Sequence, residues 1–469
     1  LRAICSMVRT SGEVVFDGVG MSALPVAGRL GGLDVAGFRV RIPDLRQGVL
    51  ASVMPALAPR KAAQLPSSSL PIAVAGHLTT PSGMGHTARI ALDALDALSL
   101  APRASNLSHA FNIHHPALPE PRFPPQAADE AGTLLLHVNG PYIPYVLGVL
   151  GRRRVAGRRL IGCWHWELPL LPKSWAKGAE ALHEVWVPTQ FVAEAVRPLL
   201  KERVRVVPHP VPAPPPVAAD RAHFKLADDA FVVLVAANVA SGFFRKNVLG
   251  AIAAFRRAFG TDARARLLVK LGDLDAFPQA RKLVQDATGH AANIQLLDRT
   301  LSRLEFDQLL MSVDVVLSLH RSEGFGLVPA EAMRLGRPVV ATAWSGNLDF
   351  MDEASAALVS FRLVPTEDPQ KLYNLPGQRW AEPDLDHAVE WLRKFRAEPA
   401  LRAKVGAAAQ AKAEACFGLP PYARALAQAL PDLMPRLAQT AAAKAPALAA
   451  ASPAAPAART AASRAKGAA

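Results

Sequence analysis

Two glutamates, Glu323 and Glu331, stand with seven residues between them in SEGFGLVPAEAMRLGRPVVAT. An ionised carboxylate accepts hydrogen bonds at both oxygens, which suits the paired hydroxyls of a sugar or a ribose. The preceding run DVVLSLH reads as a strand. The run VPAEAMRLG reads as a short helix, with Pro329 suited to its first turn and Gly336 to its stop. Glu323 is then expected in the loop at a strand's carboxyl end, and Glu331 inside the first helical turn. Amides from Gly326, Leu327 and the helix start would favour a phosphate. Gly324 and Gly326 would let the backbone approach a ligand closely. A plainer account makes Glu331 a favourable acid at a helix start and Glu323 a solvated loop residue.

Three further stretches carry candidate chemistry. In NVASGFFRKN, Arg245 and Lys246 precede a helical run, where the helix dipole disfavours cations; neutralising a diphosphate would explain their place. GHLTTPSGMGHTAR reads as a glycine loop with Gly83 and Gly85. It lacks the third glycine and the later acid of a dinucleotide fingerprint, yet can still approach a sugar or phosphate. IGCWHWELPLLPKSW sets His165 and Glu167 just past a strand, where either can act as acid, base or sugar ligand, or can pack or cap. Other signals carry less. The DLD pairs at 273–275 and 384–386 are too short to argue a metal site. His114 and His115 are adjacent, so on a strand they face opposite ways. No zinc-type spacing, phosphate-binding lysine loop or nucleophile elbow is present.

The elements that must position these residues form two series. From Leu70, LPIAVAG, a glycine loop and HTARIALDALDAL read as strand, loop and helix. Strand-like runs follow at 132–139, 159–166 and 183–189, then a helix in FVAEAVRPLL and a last strand in RVRVVPHPV. PHPVPAPPPVAA holds six prolines in twelve residues, which excludes helix or central sheet and reads as a semi-rigid linker. A second series then alternates strands (FVVLVAAN, ARLLVKLG, NIQLL, DVVLSL, PVVATA) with helices. Alternation of this kind predicts parallel sheets with ligands at the strands' carboxyl ends. The expected division is an N-terminal appendage (1–69), a Rossmann-like domain (70–207), a linker (208–222), a second Rossmann-like domain (223–420), a C-terminal helix (421–439) and a disordered Ala/Pro tail (440–469).

The 469 residues are 51% hydrophobic, 6% aromatic and 20% charged, with a formal net charge of +14. No apolar run is long enough to span a bilayer, and no signal sequence opens the chain. Three scattered cysteines argue against a disulfide framework and fit a reducing cytoplasm. GRRRVAGRR at 151–159 has five arginines and the tail four more cations. They read as solvated segments or as a patch resting on anionic lipid at the inner face of the membrane. Nucleic acid is not expected, because no aromatic residues interleave with the cations.

Taken together, EGFGLVPAEAMRLGRPVVAT closely resembles the two-glutamate segment of retaining GT-B glycosyltransferases of family four. SGMGHTAR is similar to that family's N-terminal glycine loop and RKN to its diphosphate-binding segment. IGCWHWELPLLPKSW resembles a bacterial branch with a Trp-x-Trp-Glu-Leu stretch. The resemblance covers roughly residues 70–436 and implies an α/β GT-B fold, two Rossmann-like domains facing across a cleft. It implies a nucleotide-sugar donor held mainly by the C-terminal domain and a glycan, lipid-linked or other hydroxyl acceptor held mainly by the N-terminal one, in surface polysaccharide or glycoconjugate synthesis. Glu331 would hold the ribose, Glu323 the donor sugar, and the amides of Gly324, Phe325, Gly326 and Leu327 the sugar and phosphates. Lys246 and Arg245 would stabilise the leaving diphosphate, with no metal. The family's usual arginine five residues before this lysine is Ser241 here, which throws that task on Arg245. A family histidine near the anomeric carbon corresponds to His165, whose context fits better, or to His137. Two other readings share the fold: a nucleotide-sugar 2-epimerase and a non-catalytic sugar-nucleotide-binding relative.

Overall fold

The computed structural model describes residues 54–116, 118–213 and 215–440, and the backbone of a short antiparallel hairpin, Leu33–Val35 with Phe38–Val40. The rest of the expected appendage before residue 54, and the Ala/Pro tail after 440 with its four cations, lie outside the described residues. Two compact units account for the fold.

The N-terminal unit is built on six parallel strands: β1 (Ile72–Gly76), β2 (Arg103–Asn106), β3 (Gly132–His137), β4 (Arg158–Cys163), β5 (Glu184–Val187) and β6 (Val204–Val206). Their order is β2-β1-β3-β4-β5-β6. The strand β1 is buried at every position, as expected where helices cover both faces of a parallel sheet. The helix α1 (Gly83–Ala97) is capped by Ser82, whose Oγ accepts from Gly85 N at 3.2 Å. This corrects the expected glycine loop: Gly83 and Gly85 are the first and third residues of the helix. Gly85 is required because a Cβ there would stand 2.5 Å from both His77 O and Thr80 O. Two more helices of this unit are α2 (Ile143–Leu150) and α3 (Gln190–Leu200).

The C-terminal unit repeats the plan. Its strands are β7 (Phe231–Asn238), β8 (Ala265–Gly272), β9 (Ile294–Asp298), β10 (Val315–Ser318), β11 (Val339–Thr342) and β12 (Ala357–Val359). They are all parallel, in the order β9-β8-β7-β10-β11-β12. The connection reverses direction between β7 and β10, so the loops after these two strands splay apart and leave a crevice at their carboxyl ends. Flanking them are α4 (Phe243–Lys246), α5 (Val248–Phe259), α6 (Gln279–Thr288), α7 (Arg303–Ser312) and α8 (Leu327–Arg334). The antiparallel pair β13 (Phe361–Pro365) and β14 (Arg379–Pro383) follows. The chain then runs through α9 (Leu385–Ala397), α10 (Pro399–Phe417) and α11 (Leu419–Ala429).

The two units exchange segments, which the expected boundaries did not include. Trp166–Pro172 belongs to the C-terminal unit, and the chain from Ala413 returns to the N-terminal one. There Tyr422, Leu426, Leu430, Leu433 and Leu437 join the same apolar cluster as Ile72, Val74, Leu92 and Leu95. Residues 54–69 are also integral rather than appended. Lys61 Nζ donates to Leu182 O at 2.7 Å, and Ser69 binds Asp432 through N and Oγ at 2.7 and 2.6 Å. The expected linker begins late, since Pro208–Ala213 packs into the N-terminal unit with His209 and Val211 buried.

The arginine run is less of a patch than its composition suggests. Arg158 is fully buried and paired with Glu130 at 3.0 Å, and Arg159 pairs with Glu184 at 3.1 Å. Arg153 is exposed but paired with Asp129. Two of the five arginines are therefore structural. No helix among the described residues is long and apolar enough to cross a membrane.

Candidate functional site

In the C-terminal unit the switch point brings Glu323, Arg245 and Lys246 together. The loop after β7 ends in the single turn α4, which carries Arg245 and Lys246; Asn247, left-handed at φ 51°, breaks it and caps α5 through Gly250 N. The loop after β10 carries Glu323. The Glu323 carboxylate takes Lys246 Nζ on Oε1 and Arg245 Nη1 at 3.1 Å on Oε2. Burial alone would raise the Glu323 pKa, but Lys246, Arg245 and His320 bring it down to about 2. The reverse balance holds for Lys246, where desolvation outweighs the attraction of Glu323 and lowers the pKa.

Arg245 departs from expectation. Its side chain is 2% exposed. The guanidinium donates to Ser322 O at 2.6 Å, Ser241 O at 2.7 Å and the Tyr373 hydroxyl at 3.1 Å. Burial works against its charge, but Tyr373, Glu323 and Glu167 more than offset this and raise its pKa. With its donors committed to protein atoms, Arg245 holds the loop that presents Glu323, and Lys246, 21% exposed, is the cation with an open side. Ser241 does not take the place of the missing arginine, because its carbonyl is one of the acceptors Arg245 uses.

Glu167 joins this group through the exchanged segment. Its carbonyl accepts from Ser322 Oγ, and its Oε2 accepts from the Tyr373 hydroxyl at 3.3 Å. His320, fully buried below the loop, is held by Ser318 Oγ and Asn347 Oδ1, each at 3.0 Å. Ser345 sits at φ 81°, ψ −154°, a region almost confined to glycine and costly elsewhere. It is held there while its Oγ accepts from Glu323 N at 2.8 Å. Next to it, Gly346 N donates to Glu323 O at 2.9 Å, and a Cβ on Gly346 would run into the Gly324 carbonyl. Gly346→Ala is therefore expected to push the loop outward at a cost of about 1–3 kcal/mol; urea melts of the variant against the parent check this.

The glycine stretch behaves as expected in part. Gly326 is left-handed at φ 100° and forms the N-cap of α8, which only a residue without Cβ adopts readily. Phe325 is buried and packs on Phe350 at 5.0 Å, so only its backbone is available to a ligand. The helix begins at Leu327, which puts Glu331 fifth, in the second turn rather than the first. A dipole role is weakened there. Glu331 is 5% exposed and its Oε1 accepts from Arg303 Nη1.

In the N-terminal unit His137 ends β3 and His165 follows β4. They line one small cavity of about 20 Å³ together with His209, Cys163, Trp186 and Tyr422. His165 Nε2 lies 2.9 Å from His209 Nε2, and Asn139 Oδ1 accepts from His165 N at 2.9 Å. The Nδ1 atoms of His137 and His165 are buried without a partner. Burial holds all three neutral, lowering His165 to about 4, His137 to about 3 and His209 well below its usual value. Such rings accept or donate a hydrogen bond but carry no charge near neutral pH.

Sequence reasoning missed His209, hidden in a proline run, and Arg303, Tyr373 and Ser345. Each acts through partners distant in the chain, so no local spacing marks it.

Two doubly wound parallel sheets, each with polar loops gathered at a strand-order reversal, define the two-domain α/β architecture of GT-B enzymes. Among solved structures the chain is similar to Anabaena HepE in complex with UDP-glucose, at 15% identity and TM-score 0.54, covering 77% of this chain and 99% of that one. It is also similar to a glycosyltransferase from Rickettsia africae, at 13% identity and TM-score 0.53, covering 77% and 98%. Residues 189–416 match the family described as Family 4 Glycosyltransferase in conflict systems. The human alpha-1,3/1,6-mannosyltransferase ALG2 is 27% identical over 147 residues, 31% of this chain; the match spans only 30% of that enzyme's length. Residues 189–416 carry the sequence likeness to family 4 glycosyltransferases, and the fold is that of GT-B enzymes.

Proposed function

We propose that the protein transfers a sugar from a nucleotide-sugar to a hydroxyl acceptor, with retention at the anomeric carbon and without a metal. The observation that carries this reading is Glu323, ionised and buried between Arg245 and Lys246 at the switch point, beside the N-terminus of α8. In this reading Glu323 accepts hydrogen bonds from the donor sugar and Glu331 from the ribose. Lys246 and the amides at the start of α8 face the diphosphate. The bond from the anomeric carbon to the diphosphate breaks, the acceptor oxygen bonds to that carbon, and the hydroxyl proton leaves with the nucleoside diphosphate. Charge developing on that leaving group is met by the lysine and the helix N-terminus. UDP-glucose, bound by the Anabaena neighbour, is the first donor to try, and a glycan or lipid-linked hydroxyl is the class of acceptor. In the N-terminal unit, His165 or His137 is the hydrogen-bonding group for the reacting hydroxyl.

The test incubates the protein with UDP-, GDP-, ADP- and dTDP-sugars while nucleotide release and thermal shift are read together. One donor that both shifts the melt and releases nucleotide supports the reading. A folded protein that responds to none removes it. Lys246→Met is expected to lower turnover about 10²- to 10³-fold with little change in melting, because Glu323 keeps Arg245. Equal rates for variant and parent would show that the lysine does not meet the leaving group.

A further inference from the structure

Glu331 does not stand alone. Arg303, the first residue of α7, donates through Nη1 to Glu331, through Nε to Asp307 Oδ2 at 3.0 Å and through Nη2 to Asp307 Oδ1. The guanidinium also lies over the Phe306 ring, 5.7 Å from its centroid. Both carboxylates are buried, Glu331 at 5% and Asp307 at 3% exposure, whereas the Arg303 side chain is 47% exposed. One cation therefore divides two buried acids and keeps a face open to solvent. We propose that Arg303 is the positioning residue for nucleotide binding, turning Glu331 toward the ribose and screening it from Asp307. This rests on the ribose role given to Glu331 above.

The physical case is a comparison of Glu331 with and without its neighbour. A ribose needs an ionised carboxylate in one fixed rotamer, since both hydroxyls donate. Two carboxylates buried side by side without a cation repel, and one of them takes a proton. A protonated Glu331 offers an O–H where the ribose requires an acceptor. Arg303 prevents this by engaging Glu331 Oε1 through Nη1 while its other nitrogens hold Asp307. The planar fork holds both acids at once, which a point charge on a lysine does less well.

Isothermal titration with uridine, guanosine and adenosine diphosphates, and donor kinetics, test the assignment on the full chain. In Arg303→Met, affinity for the preferred nucleotide is expected to fall about 10- to 100-fold, with donor KM rising and kcat kept within a few-fold. In Arg303→Met with Asp307→Asn, the second acid is gone and most of that affinity returns. Arg303→Lys retains the charge and loses only a few-fold. Recovery in the double variant, with melts alike, supports the assignment. An affinity unchanged in Arg303→Met, or lost to the same extent in single and double variants, overturns it. If the parent chain binds none of the three nucleotides and no thymidine diphosphate either, the glycosyltransferase reading fails and this inference with it. If the parent binds and Glu331→Gln weakens binding while Arg303→Met does not, only the positioning role fails.

Discussion

Glu323→Ala is expected to destabilise the C-terminal unit by about 3–5 kcal/mol and to abolish turnover. Removing one partner of a buried ion pair leaves an uncompensated charge, and losses of about this size follow. Here two cations are stranded, Arg245 and Lys246, of which Arg245 has almost no contact with solvent. A second route gives a similar magnitude. The carboxyl's pKa falls from an ordinary 4.5 to about 2 in the folded chain. A depressed carboxylate contributes stability above its unfolded pKa, and that contribution disappears as pH falls from about 4.5 to 2. At about 1.4 kcal/mol per pKa unit this amounts to about 3 kcal/mol. Urea melts of parent and Glu323→Ala at pH 7, with nucleotide release measured alongside, decide the matter. An unchanged midpoint would mean that the two cations find water or another partner, and unchanged release that Glu323 does not touch the donor.

Acid is expected to unfold the N-terminal unit well before it touches Glu323. His137 and His165 are neutral when folded and titrate at about 3 and about 4, against 6.5 for a free ring. Above pH 6.5 both states are neutral and the groups contribute nothing to the difference. As pH falls below 6.5 the unfolded chain binds protons that the folded chain refuses, so stability declines through the window from 6.5 to about 4. For His165 alone the loss by pH 4 is ~3 kcal/mol, and His137 adds a comparable amount. Melts at pH 7, 6, 5 and 4.5, followed by tryptophan fluorescence, measure the slope; Trp164 and Trp186 line the same cavity. His137→Gln is expected to flatten that slope. A flat dependence in the parent would show that the rings are already protonated or reach water.

Most of this architecture could be read in the chain because most of its parallel strands are short apolar runs that alternate with amphipathic helical segments. What escaped had weak local signals. The strand β2 reads RASN, polar and paired on one side only, at the sheet edge. The strand β12 is three residues long, and β13 with β14 is an antiparallel addition outside the alternating pattern. The candidate site divides the same way. Glu323, Lys246 and Glu331 were legible because a glycine loop and a helix start frame them in the sequence. Arg245 was assigned to a ligand because charge near a helix start is visible, whereas the carbonyls of Ser241 and Ser322 that consume it are not. Arg303 and His209 had no local mark at all, since their partners lie 28 and 44 residues away.

The return of the chain to the first unit has a consequence for its birth on the ribosome. The sheet that begins at Ile72 is finished by apolar residues between Tyr422 and Leu437. During translation the first unit must wait, its face open, while the whole second unit is made. The unit synthesised later is thus the first that can close, apart from the strand of chain lent to it at Trp166–Pro172. Ribosome-bound chains halted before residue 419 would keep the first sheet protease-sensitive, and release of α11 with the residues up to Leu437 would seal it.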